Sequence, residues 1–236
     1  MRPAFSADVT DFWGVSSLDA ASADAYRIVV DPDLRADLLA TLLEVVEGPA
    51  LATLAPAAAE RLRAATGDEV PRREFRSRLE DAGLALNGAD VVSYLTPDAQ
   101  RAVAALPPAP GTRALTPADA PEFARFCADA PADDLEEAYV ELDHWRAHGT
   151  FVGERLVAAA SAYPWRDSML ADVGVITLPG FRGRGLATRL VRAIAADALD
   201  LGYEPQYRCQ TDNAASLALA SAAGFERFAE WDVVTA

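Results

Sequence analysis

Apolar positions along the chain change their period several times, and those changes outline its elements. From Leu186 onward, Leu190, Val191, Ile194 and Ala198 recur at three- and four-residue spacing, one face of an amphipathic helix. Just upstream, Val173, Val175 and Ile176 read as a buried strand closed by Pro179-Gly180. Residues 206–211 read as a second strand. Asp212 or Asn213 then caps a helix that Gly224 ends in the left-handed conformation. Before this block, residues 112–115 predict a strand, and Thr116-Pro117 opens a helix to about residue 128. An acidic helix is expected over 132–148, followed by a hairpin over 151–158 that turns at Glu154-Arg155 and continues to Tyr163.

The first hundred residues carry less pattern. Segments 34–46, 57–65 and 72–82 look helical, punctuated by Pro32, Gly48-Pro49, Pro56 and Gly67, while 26–30 and 90–95 look like short strands. The strand at 90–95 has no neighbour in sequence to pair with. Buried unpaired backbone groups cost about 1–3 kcal/mol each, so it must pair with a distant segment. A proline-rich stretch, 105–111, marks a boundary. The expected organisation is an accessory region over 1–106, a connector over 107–110 and a second domain over 111–236.

Composition narrows the class. The 236 residues are 51% hydrophobic without any apolar run approaching the ~18 residues that cross a bilayer, and the first residues contain no apolar leader. Two distant cysteines, Cys127 and Cys209, fit a reduced cytoplasmic compartment, and with only two histidines no metal site is expected. A formal charge of −15 argues against a nucleic-acid partner. The absence of lysine, with abundant Ala, Arg and Asp, matches the bias of a GC-rich bacterial genome. Against that acidity, the span 173–196 holds four arginines (Arg182, Arg184, Arg189, Arg192) and no acid.

Strand, glycine-rich turn and helix place free N–H groups at a helix N-terminus between two guanidinium groups, which suits a phosphate or pyrophosphate. A P-loop is excluded because it requires lysine, and a G-x-G-x-x-G fingerprint lacks its third glycine after Gly183 and Gly185. Arg182-Gly183-Arg184-Gly185-Leu186-Ala187 instead matches R-x-x-G-x-A. Downstream, Asn213, Ser216, Leu219, Gly224 and Phe225 fit N-x-x-S-x-x-L followed by G-F. The two motifs in register resemble the GNAT superfamily of N-acetyltransferases, over about residues 111–236. The resemblance implies an α/β fold with a mixed, mostly antiparallel sheet flanked by helices, preceded here by a mainly helical α/β region.

It also implies acetyl-CoA as cosubstrate, without metal, and acetyl transfer to a small-molecule amine by direct attack in a ternary complex. The cofactor set would be Ile176, Thr177 and Leu178 on the strand, Arg182, Gly183, Arg184, Gly185, Leu186, Ala187 and Thr188 at the turn, and Asn213 with Ser216 on the last helix. An amine of pKa near ~10 needs a base. Asp172, at the start of the cofactor strand, is the first candidate, with Glu141 and His144 as rivals on the acidic helix. Many relatives carry a tyrosine after the motif leucine as general acid to the CoA thiolate, but here Ala220 follows Leu219. Ser216, Tyr207, Cys209 or water are left as proton donors. Two other readings remain open: an acyl-CoA-binding module without chemistry, and a protein acetyltransferase that uses residues 1–106 to engage its partner.

Overall fold

The computed structural model describes residues 4–16, 18 and 24–236. The first half runs α1 (Ala7–Phe12), β1 (Ala25–Val30), β2 (Leu38–Val45), β3 (Ala50–Leu54), α2 (Pro56–Leu62), β4 (Glu69–Pro71), α3 (Arg72–Asp81), β5 (Asp90–Leu95) and α4 (Pro97–Ala104). The second half begins with β6 (Thr112–Ala114), α5 (Ala120–Asp129), α6 (Ala132–Ala138), β7 (Arg146–Val152) and β8 (Arg155–Pro164). It ends with β9 (Leu170–Thr177), α7 (Leu186–Asp200), β10 (Glu204–Gln210), α8 (Ala214–Ala223) and β11 (Phe225–Thr235).

All these strands join one sheet of order β4-β1-β3-β2-β11-β5-β10-β9-β8-β7-β6. Pairing is parallel only for β1 with β3 and for β9 with β10. The sheet thus runs unbroken through both halves of the chain. The strand expected to seek a distant partner, β5, finds two: it lies antiparallel between β10 and β11, with Tyr94 opposite both Gln206 and Glu226.

Side-chain alternation sorts the helices onto two faces. One face carries α4, α7 and α8 over Leu95, Val191, Tyr207 and Phe225, and α7 over the small residues Ala158, Ala160 and Ala162 of β8. Leu190, Val191 and Ile194 of α7 are fully buried there and contribute roughly 1.5–3 kcal/mol each. The opposite face carries α5 and α6 over Leu156, Ala159 and Ile176, and α1 over Tyr94, Leu170 and Phe228.

Three expectations change. The segment 34–46 holds the strand β2 (Leu38–Val45), not a helix. Its apolar run is buried on both faces between β3 and β11, and such a run has no period that separates strand from helix. The acidic helix stops at Ala138, not at residue 148. Tyr139 takes a left-handed conformation (φ 46°, ψ 50°), and Arg146 to His148 are drawn into β7 opposite Ala160 to Ala162. The hairpin turns at Gly153-Glu154, one residue early, where Gly153 has φ 62°.

Candidate active site

The site begins with a split in the sheet. Strands β9 and β10 pair only from Leu170↔Glu204 to Asp172↔Gln206. Beyond this, β9 follows β8 as far as Thr177↔Ala158, while β10 follows β5 as far as Gln210↔Asp90. The Leu178 N–H donates to Val157 O (3.0 Å). Antiparallel partners alternate, so Gly174 and Ile176 also bond to β8, whereas Val173, Val175 and Thr177 turn their backbone groups toward β10. At Val175 and Thr177 no described strand meets them. A cavity of about 730 Å³ fills the split and opens onto both faces. The Thr177 Oγ1 on its wall is buried and has no hydrogen-bond partner.

On the α7 face, the chain leaves β9 through a single 3₁₀ turn, Pro179–Phe181, and enters α7 with Gly183 at φ 73° and Gly185 at φ 70°. Side chains other than glycine rarely adopt these angles, and they bring the backbone close to whatever lies at the helix end. Gly185 is the N-cap and no side chain caps the helix, so the first N–H groups of α7 face the cavity, which Arg182, Gly183, Gly185, Leu186, Ala187 and Thr188 line. Ile176 also lines it, whereas Leu178 is buried beneath it.

The two arginines do not flank the turn symmetrically, as the motif predicts. Arg182 reaches the wall, with its Nε donating to Thr177 O (3.0 Å) and its Nη2 paired with Asp134 of α6. Arg184 folds back onto Gly180 O (2.9 Å) and the Phe181 ring and does not line the cavity. Of the other basic residues in this span, Arg192 caps the last carbonyls of α8 at Ala222 and Ala223.

Across the split, Asn213 caps α8 by accepting from the Ser216 N–H (3.0 Å), and Ser216 Oγ lies 2.8 Å from the Tyr207 hydroxyl. Both residues line the cavity. Burial pushes Tyr207 up to about 12, with the Ser216 bond opposing. Burial also raises the Cys209 thiol, so its thiolate is disfavoured. Ala220 does not face the cavity as the spacing predicts. It is buried beside Tyr207, Val191 and Phe225, and Leu219 and Ala222 line the wall instead.

The opposite face is built around an ion-pair cluster that the sequence reading missed apart from Asp172. The Asp172 carboxylate accepts from Gln206 Nε2 (2.8 Å), Arg208 Nη2 (3.0 Å) and the Tyr163 hydroxyl (3.2 Å). Arg208 also donates to Asp90 of β5 (2.6 Å), and its guanidinium lies 4.3 Å from the centre of the Trp165 ring. Burial works against the Arg208 charge, but the two carboxylates outweigh it and hold the pKa up. Burial raises Asp90, with Arg208 opposing, and pushes Tyr163 up to about 12, with Asp172 adding to the rise. A relay anchors the cluster from below: Trp13 Nε1 donates to the Tyr94 hydroxyl (2.7 Å), and that hydroxyl donates to Gln206 Oε1.

Helix α6 roofs this face because its last carbonyl, at Ala138, lies directly on Gly174. Tyr139 then packs edge to face on both Tyr163 and His144, which tilt against each other, with centroids 4.9–5.8 Å apart, Tyr139 and Tyr163 lining the cavity. The expected rivals for the base sit elsewhere. His144 is held at Ser161 (2.8 Å), and burial lowers its pKa despite Glu141 and Asp143. Neither His144 nor Glu141 lines the cavity. The readable trace of the missed cluster was the alternation along β10, with the polar Glu204, Gln206, Arg208 and Gln210 on one face and Pro205, Tyr207 and Cys209 on the other. Among the described residues, no group of three or more His, Cys, Asp or Glu side chains is placed to hold a metal ion. No described helix is long and apolar enough to cross a membrane.

Residues 118–225 match the family model described as "Acetyltransferase (GNAT) family". This part of the chain, a little under half of it, is thus similar to the GNAT acetyltransferase domain, a family that transfers an acyl group from acyl-CoA. A GNAT-family acetyltransferase from Colwellia psychrerythraea shares the fold with a TM-score of 0.52, at 15% identity over 78% of this chain and 76% of that one. A Novosphingobium aromaticivorans protein assigned as a GNAT-family acetyltransferase is 26% identical over 65% of this chain and 67% of its own, with a TM-score of 0.47. An aminoglycoside N-acetyltransferase in complex with CoA is 20% identical over 49% of this chain and 91% of that chain, with a TM-score of 0.39. A search of curated proteins finds no match.

Proposed function

We propose that the protein is an acetyl-CoA-dependent N-acetyltransferase that moves an acetyl group to the amine of a small molecule by direct attack in a ternary complex, with its catalytic domain over residues 111–236. The observation that carries this reading is the split between β9 and β10. Its backbone at Val175 and the Thr177 N–H, which no described strand pairs, the orphaned Thr177 hydroxyl and the uncapped end of α7 together fit an elongated acyl-CoA. Acetyl-CoA supplies the thioester, and the protein supplies the rest. The N–H groups of Leu186, Ala187 and Thr188 hold the pyrophosphate. Backbone groups of Val175 and Thr177 pair with the pantetheine arm as a strand would, Ile176 and Leu178 shape the wall behind it, and one of these N–H groups polarises the acetyl carbonyl. Asn213 keeps the N-terminus of α8 in place, so that Ser216 stays bonded to Tyr207.

The amine enters from the α6 face. As its nitrogen bonds to the carbonyl carbon, its proton passes to the Tyr163 oxygen while the Tyr163 proton moves to Asp172 Oδ2, 3.2 Å away. The carbon–sulfur bond then breaks, and the thiolate takes a proton from the Tyr207–Ser216 pair. This pair supplies, from β10, the hydroxyl that Ala220 lacks. The test is a panel of amines with acetyl-CoA, read as free thiol and acetylated product. Amine-dependent thiol release is expected. Calorimetric binding of acetyl-CoA with no release against any amine would identify a binding module instead.

A further inference from the structure

The acceptor end of the cavity has a chemistry of its own. The charged residues lining the cavity as a whole are four carboxylates (Asp90, Asp134, Glu137 and Asp172) and two guanidinium groups (Arg182 and Arg208), a formal charge of −2. Both arginines are already committed: Arg182 to Asp134, and Arg208 to Asp90 and Asp172 together. No guanidinium is left to receive a carboxylate from the acceptor. Glu137, by contrast, has no ion-pair partner among the described residues.

Beside these charges stand two tyrosine rings. Tyr139 is 53% exposed, although it packs edge to face on Tyr163 and His144, and its backbone lies in the left-handed region that non-glycine residues seldom occupy. Aromatic faces attract cations, and they do so more strongly where water is partly excluded.

We infer that the acceptor is an amine carrying at least one further positive charge and no carboxylate: its second cation lies between Glu137 and the Tyr139 ring while its reacting nitrogen reaches Tyr163. This inference rests on the acetyl-transfer reading of the same site. It also gives the first half of the chain a part in specificity, because Asp90 of β5 gives Arg208 a second carboxylate partner beside Asp172.

The experiment compares three probes of similar length: 1,4-diaminobutane, butylamine and β-alanine. The first readout is thiol release at saturating acetyl-CoA, and the second is calorimetric binding of each probe to the protein saturated with CoA. The diamine is expected to give the highest kcat/KM and β-alanine the lowest. Glu137→Gln should raise the diamine KM about two- to fivefold, and Tyr139→Gly about three- to tenfold, with butylamine changed less than twofold by either. Glycine suits the left-handed backbone at position 139, so that variant keeps α6 in place. Equal turnover of β-alanine and the diamine, or equal effects of both variants on all three probes, overturns the inference. Calorimetry separates it from the parent reading. Diamine binding that both variants weaken supports the subsite even where no thiol is released, and absence of diamine binding to the CoA-saturated protein refutes it.

Discussion

Replacing Gly174 by alanine would put a Cβ 1.9 Å from the Ala138 carbonyl oxygen and 3.3 Å from Val140 Cγ2. Ordinary contact begins near 3.4 Å, so the end of α6 must retreat by about 1.5 Å. The obstacle is backbone, not the tip of a flexible side chain, and overpacking of this kind costs about 1–3 kcal/mol. The ordinary gain from glycine to alanine within a strand, about 0.5–1 kcal/mol, offsets only part of it. For a chain of this length each kcal/mol corresponds to about 2–4 °C, so Gly174→Ala should lower Tm by several degrees. The displacement carries Glu137 and Tyr139 away from Tyr163 and draws Asp134 from Arg182, while α7 and α8 lie across the sheet and stay in place. The amine KM should therefore rise about tenfold, with a much smaller change in acetyl-CoA affinity in calorimetry. A variant with the parent's Tm and amine KM would refute the claim that contact with Gly174 holds the roof of the acceptor side.

Tyr94→Phe should lower Tm by roughly 2–12 °C, because it leaves Trp13 Nε1 and Gln206 without the hydroxyl between them. Adding Gln206→Leu should cost little more if the two act as one relay. Tyr207→Phe should reduce kcat about 100-fold with little change in the amine KM, and should alter the alkaline limb of the pH–rate profile. An unchanged profile would assign the proton to water. Arg182→Ala should weaken acetyl-CoA binding and its salt dependence more than Arg184→Ala does, since only Arg182 lines the cavity. Burial depresses the His144 pKa, so its neutral form favours the folded state. That contribution is complete above the ordinary value near 6.5 and is lost as pH falls through the folded pKa. Chemical denaturation between pH 8 and 5 should show stability falling with pH, and His144→Gln should flatten the slope.

What could be read from the chain alone was local. The strand, turn and helix around Arg182–Ala187 follow from proline, two glycines and a three-four apolar spacing, each acting within a few residues. The Asn213 cap and the Gly224 stop follow in the same way, and these features carried the family resemblance. Residues 34–46 were not legible because a run buried on both faces has no period. Whether it becomes a strand depends on β3 and β11, the latter nearly two hundred residues away.

The halves of the site separate along the same line. The glycine turn is encoded where it stands, but the α6 face of the cavity is assembled from α6, β8, β9, β10 and β5, whose members meet only when the sheet closes around the inserted strand. Arg208 looked like a lone charge on a strand until Asp90, Asp172 and Trp165 surrounded it. Ala220 stood without a hydroxyl in the motif, and the Tyr207–Ser216 pair near it forms only when β10 and α8 meet. Sequence spacing determines which residues share a face. Which faces meet is decided by strand pairing and burial, because these satisfy the backbone over distances that spacing does not record.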